Sequence, residues 1–210
     1  SFISLLGIGI LLFLTALSLT TVLMIALVGN SYIREEMERA GFGDLTAWAS
    51  DVPDIEFLME SIREQEGVEA AEAQRLIFSE YEANGVESDS QGQMIPWTLS
   101  NSRYRFLQNN LSGYREAPEE IGEQEVYVSP SMKSMMDLEP GDMVTLSIAR
   151  GGRTISLTVA GYYEDPFMGS SMIGMKGFLI SEKTYEEIGS VIEETGMDAL
   201  ARDGFMIHIQ

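Results

Sequence analysis

The chain has 210 residues, a formal net charge of −20 at pH 7 and no cysteine. All 13 Lys and Arg and all 33 Asp and Glu lie beyond Ile33, so an uncharged beginning is followed by a strongly acidic remainder. That remainder excludes nucleic acid and an anionic lipid surface as partners, since both require basic patches. The lack of thiols excludes disulfides, thiolate zinc sites and iron–sulfur clusters.

From Phe2 to Val28 the sequence is apolar, interrupted by nothing but Ser, Thr and Gly. As a helix this stretch is about 40 Å long, enough to cross a hydrocarbon core of about 30 Å. A single segment in lipid must satisfy its own backbone, so it has to be helical, with Phe2, Leu12 and Val28 marking its course through the bilayer. Gly7, Gly9, Ala16, Ser18 and Ala26 suit close packing against other helices. A signal peptide would have a shorter apolar core, a basic start and a cleavage site, and none of these is present. Because the sequence begins at Ser1, the expectation is a fragment whose cytoplasmic start lies upstream. The stretch Arg34-Glu35-Glu36-Met37-Glu38-Arg39 is acidic on balance, whereas cytoplasmic flanks are rich in Lys and Arg. The expected location is therefore the cell membrane, with residues from about 34 onward extracytoplasmic. A cysteine-free external domain points to a bacterium.

The helix is predicted to run to about Ala40, where Gly41 and Gly43 break it. About 177 residues after Ile33 are ample for one core. Asp44 to Ser50 reads as a strand, and Pro53-Asp54 opens a helix to about Gln65 with Ile55, Leu58, Met59 and Ile62 on one face. Val68 to Glu82 holds two short strand candidates. From Asn84 to Gly122 the periodicity dissolves into Gly, Ser, Asn and Gln with scattered aromatics, and the expectation is an inserted variable subdomain or flap. Glu125–Val128 is a strand. A helix then begins with Ser129 as its cap and Pro130 at its first position. Glu139-Pro140-Gly141-Asp142 is a turn, and Met143–Ala149 and Thr154–Tyr162 alternate as strands around the Gly151-Gly152 hairpin. Gly177–Ser181 is a strand, Glu182–Gly189 and Val191–Ala201 are two helical stretches, and Phe205–Ile209 closes as a strand. The fold class is α+β: one transmembrane helix over residues 1–40, then a mixed extracytoplasmic domain over 41–210.

Signals for catalysis are sparse. His208, the single histidine, sits in an apolar terminal strand and reads as structural. There is no phosphate-binding GxxxxGK[ST] or GxGxxG loop and no GxSxG elbow, so the chain does not itself hydrolyse ATP and needs no cofactor of its own. Glu87-x-Asp89-x-Gln91-Gly92 resembles half of a calcium loop, but Thr98 stands where a bidentate Glu is required. The acidic run Glu119–Glu125 reads as a solvated turn. One loop stands out: Asp165 to Lys176 is apolar and rich in methionine. Folded back, it covers the core; turned outward, Phe167, Met168, Met172, Ile173 and Met175 form a pliable contact surface for a partner or substrate.

The stretch EVYVSPSMKSMMDLEPGDMVTLSIARGGRTISLTVAGYYEDP, Glu125 to Pro166, resembles the extracytoplasmic core domain of FtsX-like, MacB-type ABC transporter permeases. Leu138, Gly141, Asp142, Val144, Leu146, Val159, Gly161 and Asp165 occupy the places of that family's "xxGDxVxL" and "xxVxGxxxD" patterns and the leucine before them. The order of parts before it matches as well: a first membrane helix, an acidic exit, a strand, a helix and GVEAAEAQR. The resemblance implies a permease with four membrane helices, this domain lying between the first and second. It implies a homodimer or a permease heterodimer in the lipid bilayer, working with an ABC ATPase subunit that holds the ATP and magnesium. In that family, closure on the cytoplasmic side is transmitted along stiff helices to the outer domains, to export or extract a peptide or lipophilic compound. The competing reading from the residues is the sensor domain of a membrane receptor such as a histidine kinase, and a membrane-anchored hydrolase comes third.

Overall fold

The computed structural model describes the chain apart from Ser1, Phe42 and Ser102, with side chains from Leu6 onward. It divides into two compact units, Ser1–Arg39 and Ala40–Gln210.

The first unit is a single helix, α1, Phe2–Arg39, of 38 residues. At 1.5 Å per residue that is about 57 Å, so the helix outlasts the apolar stretch and continues through the charged residues to Arg39. It is long and apolar enough to cross a membrane, with a mean hydropathy of 2.5 in its most apolar window. Three of its polar interruptions are satisfied internally: the Thr15, Thr20 and Thr21 hydroxyls donate at 2.8 Å to the carbonyls of Leu11, Ala16 and Leu17. No lipid-facing hydroxyl is thereby left without an acceptor at these positions, as a hydrocarbon surrounding demands. Leu12 and Val28 are exposed on this unit; Phe2 starts the helix and its side chain lies outside the described residues.

The second unit is mixed α+β. Its strands are β1 (Leu45–Ser50), β2 (Ala71–Ala83), β3 (Val86–Glu87), β4 (Gly92–Pro96), β5 (Arg105–Leu107), β6 (Tyr114–Arg115), β7 (Glu125–Val128), β8 (Met143–Ala149), β9 (Arg153–Glu164), β10 (Lys176–Ile180) and β11 (Arg202–Ile209). Its helices are α2 (Ile55–Arg63), α3 (Ser131–Met136) and α4 (Glu182–Thr195). Pairing closes on itself through β2, β4, β10, β7, β9 and β8, and β8 returns to β2. The β4–β10 and β7–β9 pairs are parallel; the others in this ring are antiparallel. Two long strands make closure possible. β2 pairs with β11 and β4 along its first part and with β8 along its last, while β9 passes from β8 to β7 to β5. β11 and β1 extend the sheet from β2.

Strand alternation sorts the core into two clusters. Ile77, Met94, Val126, Val128, Tyr162, Phe178 and Ile180 face one side with the inward residues of β8 and with α3 and α4. Their neighbours Leu76, Phe78, Ile95, Tyr127, Tyr163 and Leu179 face the other, with Trp97, Tyr104, Phe106, Phe167 and Met168. Strands covered on both faces read as continuous apolar runs, and β10 is buried at every position.

Local chemistry fixes the connections. Asp54 caps α2, its carboxylate accepting from Phe57 N–H at 2.9 Å, and Ser181 caps α4 by accepting from Thr184 N–H at 3.0 Å. Gly151 and Gly152 both have φ of 80°, the geometry a two-residue hairpin requires.

Several boundaries differ from the sequence expectation. The two strand candidates of Val68–Glu82 are one strand, β2, because its halves pair with different partners without a break. The two helical stretches of 182–201 are one helix, α4, followed by a short 3-10 turn at Gly196–Asp198. Gly189 does not stop it, since Ile188, Val191 and Ile192 carry the apolar stripe across that position. α3 starts one residue later than expected: Pro130 is its cap, and Ser129 makes no capping bond but pairs its hydroxyl with that of Ser131 at 2.6 Å. The Asn84–Gly122 segment is built in more deeply than its composition suggests. It supplies β4 to the closed ring, and Trp97, Tyr104 and Phe106 to the second cluster.

Candidate functional site

The methionine-rich loop joins β9 to β10, and its two ends are pinned by a buried pair of opposite charge. Asp165 follows β9 directly and is 6 % exposed. One carboxylate oxygen, Oδ1, accepts from Phe167 N–H and Met168 N–H, each at 2.9 Å, while Oδ2 accepts from the Tyr163 hydroxyl at 2.9 Å. Gly169 N–H donates to the Asp165 carbonyl at 3.1 Å, closing a tight turn. At the other end Lys176 is fully buried and donates through Nζ to the carbonyls of Met168 and Ser170, at 3.3 and 2.5 Å. Burial raises the Asp165 carboxyl above its ordinary range, against the pull of the Met168 and Phe167 N–H groups, the Tyr163 hydroxyl and Lys176. Burial likewise lowers the Lys176 ammonium, which Asp165 partly restores. Gly177 is required beside them: a side chain there would collide with the Asp165 carboxylate and the Tyr163 hydroxyl.

This arrangement divides the five residues expected to form one contact surface. Phe167 and Met168 are each 8 % exposed and belong to the second core cluster, and Met175 packs against it. Their apolar side chains cover the sheet where no helix does, so they are not an outward surface. Met172 and Ile173, at 94 % and 39 % exposure, form the outward tip. The base of the loop thus closes the core, and its tip leaves two apolar side chains exposed.

His208 is buried as part of the same face. Its Nδ1 lies 3.2 Å from the Thr46 hydroxyl, its ring tilts against Phe167 at 5.0 Å, and Nε2 is buried without a partner among the described residues. Burial, and then the Arg103 charge, lower its pKa to about 4, with Glu72 opposing. Nearby, Gln74 donates through Nε2 to the Tyr104 hydroxyl at 2.9 Å, and Trp48 Nε1 donates to Gln93 at 3.3 Å. Sequence reasoning missed the Asp165–Tyr163–Lys176 pin; Asp165 and Lys176 bracketing an apolar loop was the one available signal.

The residues of the resemblance pattern are placed by the fold's own needs. Gly141 has φ of 101°, and Asp142 accepts from Glu139 N–H at 2.8 Å to close the turn. Leu138, Val144, Leu146 and Val159 are buried in the first cluster. A Cβ on Gly161 would meet the Tyr127 ring at 3.0 Å. Among the described residues, those of the half calcium loop included, no three or more Asp, Glu or His side chains gather as a metal-binding group. Glu119, Glu120 and Glu123 are exposed, as a solvated turn should be.

A separate groove of about 790 Å³ lies between α2 and the sheet, lined by Ile55, Met59, Ala73 and Phe205 and rimmed by Glu56, Glu60, Arg63, Glu72 and Arg75. Of the α2 side chains, Met59 is the buried one.

No family model and no curated protein matches the chain. Among solved structures it is similar to the extracellular domain of the noncanonic ABC-type transporter YknZ from Gram-positive bacteria, at 12 % identity over 79 % of this chain and 84 % of that one, with a TM-score of 0.35. It is also similar to the periplasmic region of MacB from Actinobacillus actinomycetemcomitans, at 10 % identity over 85 % of this chain and 80 % of that one, with a TM-score of 0.39.

Proposed function

We propose that this chain is the first membrane helix and extracytoplasmic domain of an FtsX-like ABC transporter permease. In this reading a partner ATPase hydrolyses ATP in the cytoplasm, and the outer domain moves in response to export or extract a peptide or lipophilic compound. The permease works as a homodimer or heterodimer, and no catalytic step is assigned to this chain. The observation that carries the reading is the coherence of the matched stretch. β7, α3, the Glu139–Asp142 turn, β8 and β9 follow one another as one hydrogen-bonded unit, with the pattern's glycines, aspartates and aliphatics at positions that need those residue types. The unbroken α1 supports it too, since a stiff helix continuing past its apolar stretch can transmit displacement.

Reading the polypeptide beyond Gln210 tests this. The permease reading expects three further apolar segments of about 20 residues each. One further segment leading into a long charged helical region would overturn it in favour of a sensor.

A further inference from the structure

Strand β1 is the last on its side of the sheet: among the described residues it pairs with β11 and nothing lies beyond it in the strand order. The ladder determines which of its backbone groups face outward. Asp51 N–H donates to the Asp203 carbonyl at 3.2 Å, one step beyond the Ser50–Gly204 pair. Antiparallel pairs alternate between bonded and non-bonded, so the bonded pairs of β1 are Leu45–Ile209, Ala47–Ile207 and Ala49–Phe205. The far side of β11 agrees. Gln210 and Ala70 exchange both bonds, at 2.8 and 3.3 Å, which commits the even-numbered residues of β11 to β2 and leaves the odd-numbered ones for β1. Thr46, Trp48 and Ser50 therefore turn their N–H and C=O groups away from the sheet.

Sheet edges are ordinarily blunted by lysine, proline, a bulge or an inward charge. Leu45-Thr46-Ala47-Trp48-Ala49-Ser50 has no charge and no proline, and its register with β11 runs without a shift. Leu45 is 57 % and Trp48 39 % exposed. Leu45, Ala47 and Ala49 share a face with Ile209, Ile207 and Phe205; Ile207 is buried, and the other five make an apolar shelf for alternate side chains of an added strand. Charge sits at the two ends. Asp44 precedes the strand and Asp51 follows it, both exposed. Asp51 has an ion pair to Arg202 at a long 3.9 Å, and Asp203, raised by burial and then by Glu193 and Asp51, adds to the acidic end.

We propose that the β1 edge binds an extended basic segment of another polypeptide as a further strand. The segment hydrogen-bonds to Thr46, Trp48 and Ser50, lays alternate apolar side chains over the shelf, and sets Lys or Arg against Asp44 and Asp51. A second copy of this chain fits poorly. Antiparallel self-pairing centred on Trp48 sets Asp51 opposite Leu45, beside the other copy's Asp44, so like charges meet at both ends of two chains that each carry −20. The proposal does not depend on the transporter reading.

The test uses the full chain in nanodiscs and a synthetic peptide of alternating valine and threonine with lysine at each end. Controls carry glutamate at each end, or proline at the centre. Amide hydrogen exchange at Thr46, Trp48 and Ser50 is the readout. The lysine-ended peptide is expected to slow exchange at these three amides at least about tenfold at saturation. The double variant Asp44→Asn/Asp51→Asn is expected to bind it about tenfold more weakly while keeping its fold, since both sites are exposed and Asn tolerates the positive φ of Asp51. Equal protection by either control peptide, or none from the lysine-ended peptide at millimolar concentration, overturns the proposal. Protection that rises with protein concentration alone also overturns it, in favour of self-pairing.

Discussion

On one face of the central strands, Ile77, Val126, Val128, Leu146 and Val159 lie inside a ring of strands flanked by α3 and α4. On the opposite face, Trp97, Tyr104, Phe106, Tyr127 and Tyr163 lie beneath loops, joined edge to face at centroid distances of 4.9 to 5.4 Å. The first face is closed by periodic elements and filled mainly by aliphatic and methionine side chains. The second is filled by aromatic side chains and fastened by polar side chains, Asp165, Lys176, Gln74 and His208. Regular elements resist local opening, whereas a loop-covered face opens wherever one of its few bonds is lost. The second face is thus the one where pH acts, through Asp165 and His208.

Substitutions on the two faces should separate in size. Leu146→Ala leaves a cavity within the ring and is expected to cost about 3–4 kcal/mol in urea unfolding, with global loss of hydrogen-exchange protection. Gly161→Val drives a side chain against Tyr127 and should cost about 2–3 kcal/mol. A destabilisation under about 1 kcal/mol in both would show that the ring is looser than described.

His208 sharpens the contrast through pH. Its folded pKa of about 4 lies below the ordinary 6.5, so the unfolded chain binds more protons in that window. Its contribution is therefore complete above pH 6.5 and is lost as pH falls towards 4. Asp165 acts in the opposite sense, because its raised carboxyl favours the folded state below its own pKa. Comparison with His208→Gln isolates the histidine: at pH 4.5 the wild-type chain should have lost about 2 kcal/mol more than the variant, relative to pH 7. Parallel pH profiles would contradict the buried neutral imidazole.

Smaller effects remain. Tyr163→Phe removes one donor from Asp165 and should cost about 1–2 kcal/mol, with exchange rising first at Phe167 and Met168. Met172→Ser at the exposed tip should change stability by less than about 0.5 kcal/mol. A large loss there would mean that the tip, too, belongs to the core.

The same contrast explains what the sequence made legible. Val144, Leu146 and Ile148 alternate on β8, Asp54 and Ser181 cap their helices, and Gly151-Gly152 turns a hairpin, so local pattern and local structure coincide. The second face depends on distance in sequence. β4 gains its place through a parallel pairing of Gly92 with Lys176, and no feature of a five-residue strand announces such a partner. Aromatics spaced irregularly over 97–122 likewise read as loop, because their packing follows from neighbours supplied by β7 and β9. In the methionine-rich loop, composition identified the segment, yet burial of Asp165 and Lys176 decided which residues face inward. α1 was legible too: length and hydropathy mark its apolar part, and Gly41, with φ of 63°, follows its end.

The proposed function places this chain within an ATPase-driven permease. Purifying the full-length protein from its native membrane and identifying what remains bound in stoichiometric amount by mass spectrometry tests that most directly. An ABC ATPase subunit is expected in the complex, released when the cytoplasmic side of the permease is removed. A stoichiometric complex without any ATPase, or a kinase region on the same polypeptide, would contradict it.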